Sequence, residues 1–203
     1  EDRDDDGRYD HSTIFLDGLS FPKGVMPWRD GVLISATPDI LFARDTNGDG
    51  KADESRVLFS GFREGNQQHR MNGFEYGLDN WVYCANGDSG GIATSPGTGL
   101  SVNIRGRDFR FRPDTLEFQT QTGQTQYGRR RDDWGNWFGN NNPSLGWHYT
   151  QPEHYLPPNP HFIPPSPRKS LGNYDRSHQL NGISRPFQRF NGLGQLQPIT
   201  APN

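Results

Sequence analysis

Apolar positions in this chain fall in short runs separated by turn-forming residues. VLISA (residues 32–36) follows Asp30-Gly31, and WVYCA (81–85) follows Asp79-Asn80. Asp-Gly and Asp-Asn supply the positive φ that tight hairpin turns need. The runs after them are β-branched, aromatic and apolar without alternation, which predicts strands buried on both faces. ILFA (40–43), RVLF (56–59) and SVNI (101–104) read as further strands. DFRFR (108–112) alternates Phe109 and Phe111 with Arg110 and Arg112, the period of a half-buried strand. PDT (113–115) is a turn, and LEFQTQ (116–121) returns as the hairpin partner. No stretch carries a helical period.

An internal repeat orders these strands. Residues 2–19, DRDDDGRYDHSTIFLDGL, align without a gap on residues 45–62, DTNGDGKADESRVLFSGF, at an offset of 43. Asp2, Asp4, Asp6, Gly7 and Asp10 match Asp45, Asn47, Asp49, Gly50 and Asp53, and Ile14, Phe15 and Leu16 match Val57, Leu58 and Phe59. That period fits a four-stranded propeller blade. A weaker third copy begins at DDWGNWF (132–138). The prediction is an all-β fold: a partial β-propeller of roughly three four-stranded blades over residues 1–139, then a long irregular segment over 140–203. That segment carries PPNP and PPSP and leads toward a further blade. A β-sandwich with coincidental repeats is the competing arrangement. The charged opening EDRDDDGRYD and the loop-like ending LGQLQPITAPN lead us to expect a fragment of a longer protein.

Composition narrows the classes. Gly 25 and Pro 16 among 203 residues exclude a helix bundle or coiled coil. Hydrophobic residues are only 30%, close to the disordered range, but the net charge of −3 and 12% aromatics argue for a thin, aromatic core. No apolar run is long enough for a membrane span. A sequence pI near 6.1 leaves no global basic surface for nucleic acid. Cys84 is the single cysteine, which excludes an internal disulfide and a CxxCH haem site here; inside a buried strand it should be inert.

The acidic loops carry metal chemistry. Asp45, Asn47, Asp49 and Asp53 place oxygens at positions 1, 3, 5 and 9 of their loop. Gly50 at position 6 permits a sharp turn, and the Lys51 carbonyl at position 7 can add a ligand. Asp2, Asp4, Asp6, the Arg8 carbonyl and Asp10 repeat the arrangement. Ca²⁺ takes 6–8 hard oxygen ligands in flexible geometry, so alternating carboxylates on a tight loop suit it. An EF-hand needs Glu at position 12, where these loops have Arg56 and Thr13. The DxDxDGxxD pattern resembles the calcium hairpin loops of integrin-type propellers and the dockerin loop. A solvated acidic turn without metal is the alternative.

The segment GNQQHRMNG (65–73) is dense in polar side chains and joins an outer strand to the next inner one. Such connections face the ligand-binding mouth of a propeller. His69 can act there as a general base, with Arg70 and Asn72 beside it for substrate. Gln124, Gln126, Asp132, Asp133 and Asn136 lie near a later blade junction and can line the same mouth, or simply satisfy turn backbones. Arg129, Arg130 and Arg131 are answered at once by Asp132 and Asp133 and read as a solvated loop. The glycine-rich stretch 86–91 lacks a phosphate-loop pattern and reads as a wide loop. Ser89 has no nucleophile-elbow context.

HRMNGFEYGLDNWVYCANGDSGG (69–91) is similar to a blade of the soluble quinoprotein glucose and sorbosone dehydrogenases. In these a catalytic His precedes a strand, a G-x-D-x-x-hydrophobic-Tyr run and GD-x-G. Gly77, Asp79, Val82, Tyr83, Gly87, Asp88 and Gly90 fall in that pattern, while Gln68 stands where the glucose enzymes carry Asp. More of the chain, from about Asp2 to Pro167, resembles the membrane-bound dehydrogenase family of planctomycete-type bacteria. The strings LSFPKGVMPWRDGVLISATPDILFARDTNGDGKAD, GFREGNQQHRMNG, GLDNWVYCANGDSGG and IRGRDFRFRPD carry that likeness. The resemblance implies a calcium-stabilised dehydrogenase propeller in which His69 takes a proton from a sugar or alcohol hydroxyl while hydride passes to pyrroloquinoline quinone. It implies a cytochrome c region in the same parent and an extracytoplasmic setting, periplasmic or membrane-attached through the parent. The competing class is a non-catalytic calcium-binding propeller for carbohydrate or a protein partner.

Overall fold

The computed structural model describes residues 2–142, 144–156, 166–171, 188–190 and 196–198. Among them the fold is all-β, with two short 3-10 turns, no α-helix, and no helix long and apolar enough to cross a membrane. Three antiparallel sheets lie within residues 1–172, and none of them closes.

Each sheet is built on a four-stranded meander. The first runs β1 (Gly24–Trp28), β2 (Gly31–Ala36), β3 (Asp39–Arg44) and β4 (Glu54–Phe62). The second runs β5 (Asn72–Tyr76), β6 (Val82–Ala85), β9 (Asp108–Phe111) and β10 (Phe118–Gln121). A hairpin, β7 (Gly91–Thr94) and β8 (Ser101–Asn103), is inserted between β6 and β9 and joins the first sheet instead, beside the end of β4. The third meander runs β11 (Arg130–Arg131), β12 (Trp137–Asn141), β13 (Ser144–Tyr149) and β14 (Arg168–Ser170). A second compact unit, residues 173–203, contains the antiparallel pair β15 (Gln188–Phe190) and β16 (Leu196–Pro198).

The runs 32–36 and 81–85 are the buried strands their composition predicts: Leu33, Ile34 and Ala36 in β2 and all of β6 are buried. The turn before β2 differs. Trp28 pairs with Gly31, so Arg29 and Asp30 form the turn, and Arg29 carries the positive φ of +51°. Gly31 is needed for space, because a side chain there would strike the Ala43 carbonyl and the Phe42 ring. Asn80, with φ of +62°, plays the turn role expected of it.

Three sequence expectations change. Strand content passes the boundary placed at 139/140, which falls inside β12, and β13 follows. The inward alternation of Trp147 and Tyr149, 4% and 5% exposed, drives that strand, and the Asn/Pro-rich residues before it mask the signal. Second, β9 is buried on both faces. Arg110 is covered because its guanidinium lies 4.4 Å from the Trp81 ring centroid and its Nη1 donates to Asp79 and the Tyr83 hydroxyl. Third, the first copy of the repeat does not become a strand. Phe15, Leu16 and Leu19 instead cover Ile34, Ala36 and Ala43, and the Phe15 carbonyl accepts from Ala52 N at 2.7 Å.

The main core lies between the first and second sheets. Leu33, Ile40, Leu58 and Phe59 meet Phe74, Val82, Phe109, Phe111 and Phe118, with aromatic centroids 5.0–5.8 Å apart. Between the second and third sheets the packing is aromatic and charged: Tyr83 stacks on Trp137 at 3.9 Å over a buried Arg129.

Candidate functional site

The connections between meanders converge at one end of the sheets. The 63–71 connection carries a 3-10 turn, Gln67–His69, capped by Asn66, whose Oδ1 accepts from Gln68 N at 3.0 Å. His69 ends that turn and is half-buried. The loop after β6 is clamped against it: Ser89 N and Ser89 Oγ both donate to the His69 carbonyl, at 3.1 and 2.5 Å. Ser89 is thus a structural donor and no nucleophile. Gly87, with φ of +72°, lies so close to the backbone of His69 and Arg70 that any side chain would collide. The stretch 86–91 is therefore a fixed support rather than a wide loop.

Two side chains hold the imidazole. Asp88 Oδ2 lies 3.5 Å from His69 Nδ1, and Gln126 Nε2 lies 3.0 Å from His69 Nε2. The Gln126 carbonyl oxygen accepts from Asn142 N at 2.9 Å, so the amide nitrogen must face the ring. An amide nitrogen only donates. His69 Nε2 is therefore the bare nitrogen, and the ring proton sits on Nδ1, facing the Asp88 carboxylate. The imidazole thus has a carboxylate beside Nδ1 and a neutral donor on Nε2.

One buried carboxylate positions both partners. Asp108 is fully buried at the start of β9. Its Oδ1 accepts from Asn86 N at 3.0 Å and Thr125 N at 2.8 Å, and its Oδ2 from Thr125 Oγ1 at 2.5 Å. Asn86 begins the loop that bears Asp88, and Thr125 precedes Gln126. Asn86 is itself fully buried, with Nδ2 on the Ile104 and Arg107 carbonyls and Oδ1 accepting from Gly90 N. Arg129 Nη1 sits 3.4 Å from Asp108 Oδ2, and its guanidinium lies 4.3 Å from the Tyr149 ring centroid. Burial pulls the Arg129 pKa down; Asp108 opposes it. Burial pushes the Tyr149 hydroxyl up to about 12.

The other sequence candidates divide. Gln124 lines a groove with Asp88. Arg70 does not face the mouth: it is 7% exposed, its Nε donates to the Glu64 carbonyl, and its guanidinium lies over Phe21. Asn72 is consumed in bridging, donating to the Arg70 and Gln126 carbonyls and accepting from Gly128 N. Asp132 accepts from Trp134 N, Asn136 N and Asn136 Nδ2, a self-contained turn, and Asp133 is exposed. The basic run is no solvated loop. Arg129 is 1% exposed, Arg130 pairs with Glu75, and Arg131 donates to the Tyr76 carbonyl. Asp88, Asp108 and Arg129 are the residues organising the surroundings of His69 that sequence reasoning did not assign. The GD-x-G match that includes Asp88 is the one signal that could have found any of them. Cys84 is buried, with its thiol pushed well up by burial.

The two acidic loops share three turn hydrogen bonds. Gly7 N donates to Asp2 and Gly50 N to Asp45; Arg8 N donates to Asp6 and Lys51 N to Asp49; Asp6 N donates to Asp4 and Asp49 N to Asn47. Backbone donors, Gly50 foremost, hold the Asp45 carboxyl below its usual range. Position 9 differs: Asp53 turns to Thr46, accepting from its N and Oγ1, whereas among the described residues no such bond holds Asp10. Among the described residues Asp2, Asp4 and Asp6 form the one group of three His, Cys, Asp or Glu side chains whose ligand atoms lie within 4.8 Å of one another; Asn47 stands in the matching place of the second loop. The hard-oxygen donor set suits Ca²⁺. A fused-ring quinone finds no such fit: Asp88, Ser89 and Gln126, the groups that touch His69, are polar and offer no pair of flat apolar faces.

No curated protein and no solved structure matches the chain. Over residues 1–203 it matches the family described as "Domain of unknown function (DUF7133)", and it belongs to that family.

Proposed function

We propose that the three meanders are successive blades of a propeller, and that His69 is the general base of a dehydrogenase acting on a sugar or alcohol hydroxyl in the full-length parent. The blade reading is supported where the meanders begin. A side chain on Gly73 in β5 would strike Gly128, just before β11, and one on Gly24 in β1 would stand 3.7 Å from Gly73 N. The leading strands thus lie side by side at glycines, as strands around a shared axis must. Calcium, held by Asp2, Asp4 and Asp6 and by the matching 45–53 loop, would pin the outer edge of the first blade. Calcium use fits an extracytoplasmic setting.

The observation that carries the base is the fixed tautomer. Asp88 faces the Nδ1 proton and stabilises the imidazolium formed when Nε2 takes a substrate proton. Gln126 occupies that lone pair, so a substrate hydroxyl must displace its amide. The hydride needs an acceptor. Pyrroloquinoline quinone would supply that chemistry in the parent, although the residues that touch His69 do not by themselves form its cradle. The Gln126 cap also favours a second reading, a binding module in which His69 only supports the mouth.

The test uses the full-length parent with calcium and quinone, following dye reduction across sugars and alcohols. His69→Ala, with folding retained, should lower turnover by about 10²–10⁴, the usual worth of a general base. Equal turnover in the variant, or none in the wild type on any substrate, would favour the binding module. Calcium at about a hundredfold over its Kd should add roughly 3 kcal/mol of stability, seen as a higher Tm than in EDTA. An unchanged Tm would count against the metal loops.

A further inference from the structure

The β7–β8 hairpin departs from the meander pattern, and it walls a groove. The groove, about 770 Å³, is lined by Gly61, Arg63, Asp88, Gly90, Arg105 and Gln124 among others. Two arginines start beside Gly90: Arg63 N donates to the Gly90 carbonyl at 3.0 Å, and Arg105 Cα lies 3.6 Å from where a Gly90 side chain would begin. Both are exposed. Eight other arginines are ion-paired with a carboxylate. Among the described residues neither Arg63 nor Arg105 has such a partner within 4.0 Å, and neither guanidinium makes a hydrogen bond. The lining therefore brings two arginines with unpaired guanidinium groups to one groove whose single carboxylate is Asp88.

A surplus of one positive charge matches a monoanion better than a dianion. Guanidinium forks recognise carboxylates through paired N–H donors. Gln124 and Asn103 add amide groups suited to hydroxyls, and glycines leave the floor open to close approach. We infer that this groove binds a small hydroxy acid, a sugar acid of the hexuronate kind, with its carboxylate at Arg63 and Arg105 and its hydroxyls at Gln124 and Asn103. Binding in this groove does not require His69 to be a base.

Calorimetric titration of the full chain with glucuronate, glucose and inorganic phosphate tests it. Glucuronate should bind at least about tenfold more tightly than glucose, and added salt should weaken it. The double variant Arg63→Gln/Arg105→Gln, both exposed positions where folding is retained, should lose about tenfold or more for glucuronate and leave glucose unchanged. Equal affinity for the two sugars, or no loss in the double variant, overturns the inference. Tighter binding of phosphate than of glucuronate overturns the carboxylate assignment.

Discussion

The second meander meets its two neighbours through opposite chemistry. Toward the first sheet it presents Phe74, Phe109, Phe111 and Phe118 to a phenylalanine-rich hydrophobic core. Toward the third it presents Tyr83 and Asp108 to Trp137, Tyr149 and the cation of Arg129. The first contact is hydrophobic, roughly proportional to apolar area and tolerant of exchange at constant volume. The second is a network in which every donor needs its acceptor, and a broken member leaves the rest buried and unpaired. The lesson is positional. The apolar interface holds two sheets together; the charged one also holds Asn86 and Thr125, and through them the two groups that face His69.

The largest expected effect is on the charged side. Asp108→Ala removes the partner of a cation that is 1% exposed and orphans Asn86 N and Thr125 N. Breaking a buried pair by removing one partner costs about 3–5 kcal/mol, and the orphaned amides add to that. Chemical denaturation should show the loss. The ¹⁵N shifts of His69 should also move, because Asp88 and Gln126 lose their anchor. A fall in stability with unmoved imidazole shifts would reduce Asp108 to a packing role.

On the apolar side, Phe109→Ala should cost about 3–5 kcal/mol, but Phe109→Leu only about 1 kcal/mol, with unmoved His69 shifts in both. The contrast with Asp108 lies in the second readout. A Phe109→Leu variant that disturbs the imidazole as strongly as Asp108→Ala would erase the division between the two interfaces.

These interfaces were unequally legible in the sequence. The phenylalanines announce themselves by spacing: Phe109 and Phe111 alternate, and 116–121 returns as their hairpin partner. The paired loops are as plain, because an offset of 43 repeats both the side chains and the backbone turns they cap. The charged interface is different. Arg129 reads as solvated because Asp132 and Asp133 are near in sequence, while its true partner is Asp108 and its aromatic neighbours come from β6, β12 and β13. Local charge balance carries no information about such a site. His69 was readable as a polar residue in a connection between strands; its tautomer was not, since it depends on a bond from Asn142 to Gln126. The first repeat misled for a related reason. Ile14, Phe15 and Leu16 have strand composition, but the outer face of β2 and β3 claims the last two as a cover.

A smaller effect isolates the charged interface without truncating it. The Tyr149 hydroxyl is hydrogen-bonded to Thr125 Oγ1 and to Trp147 Nε1, and burial raises its pKa from 10.0 to about 12. The folded state thus keeps a proton that the unfolded chain releases earlier. The stabilisation is complete below pH 10 and is lost as pH rises toward 12, because only the unfolded state gains from ionising in that window. At about 1.4 kcal/mol per unit, two units amount to roughly 2–3 kcal/mol. Other tyrosines titrate in the same range, so the measure is a difference. Stability against pH from 9 to 12 should fall more steeply in the wild type than in Tyr149→Phe, which lacks the ionisable group. Parallel curves would mean that this hydroxyl is open to water and that the second and third sheets meet through a wetter contact than the buried Arg129 implies.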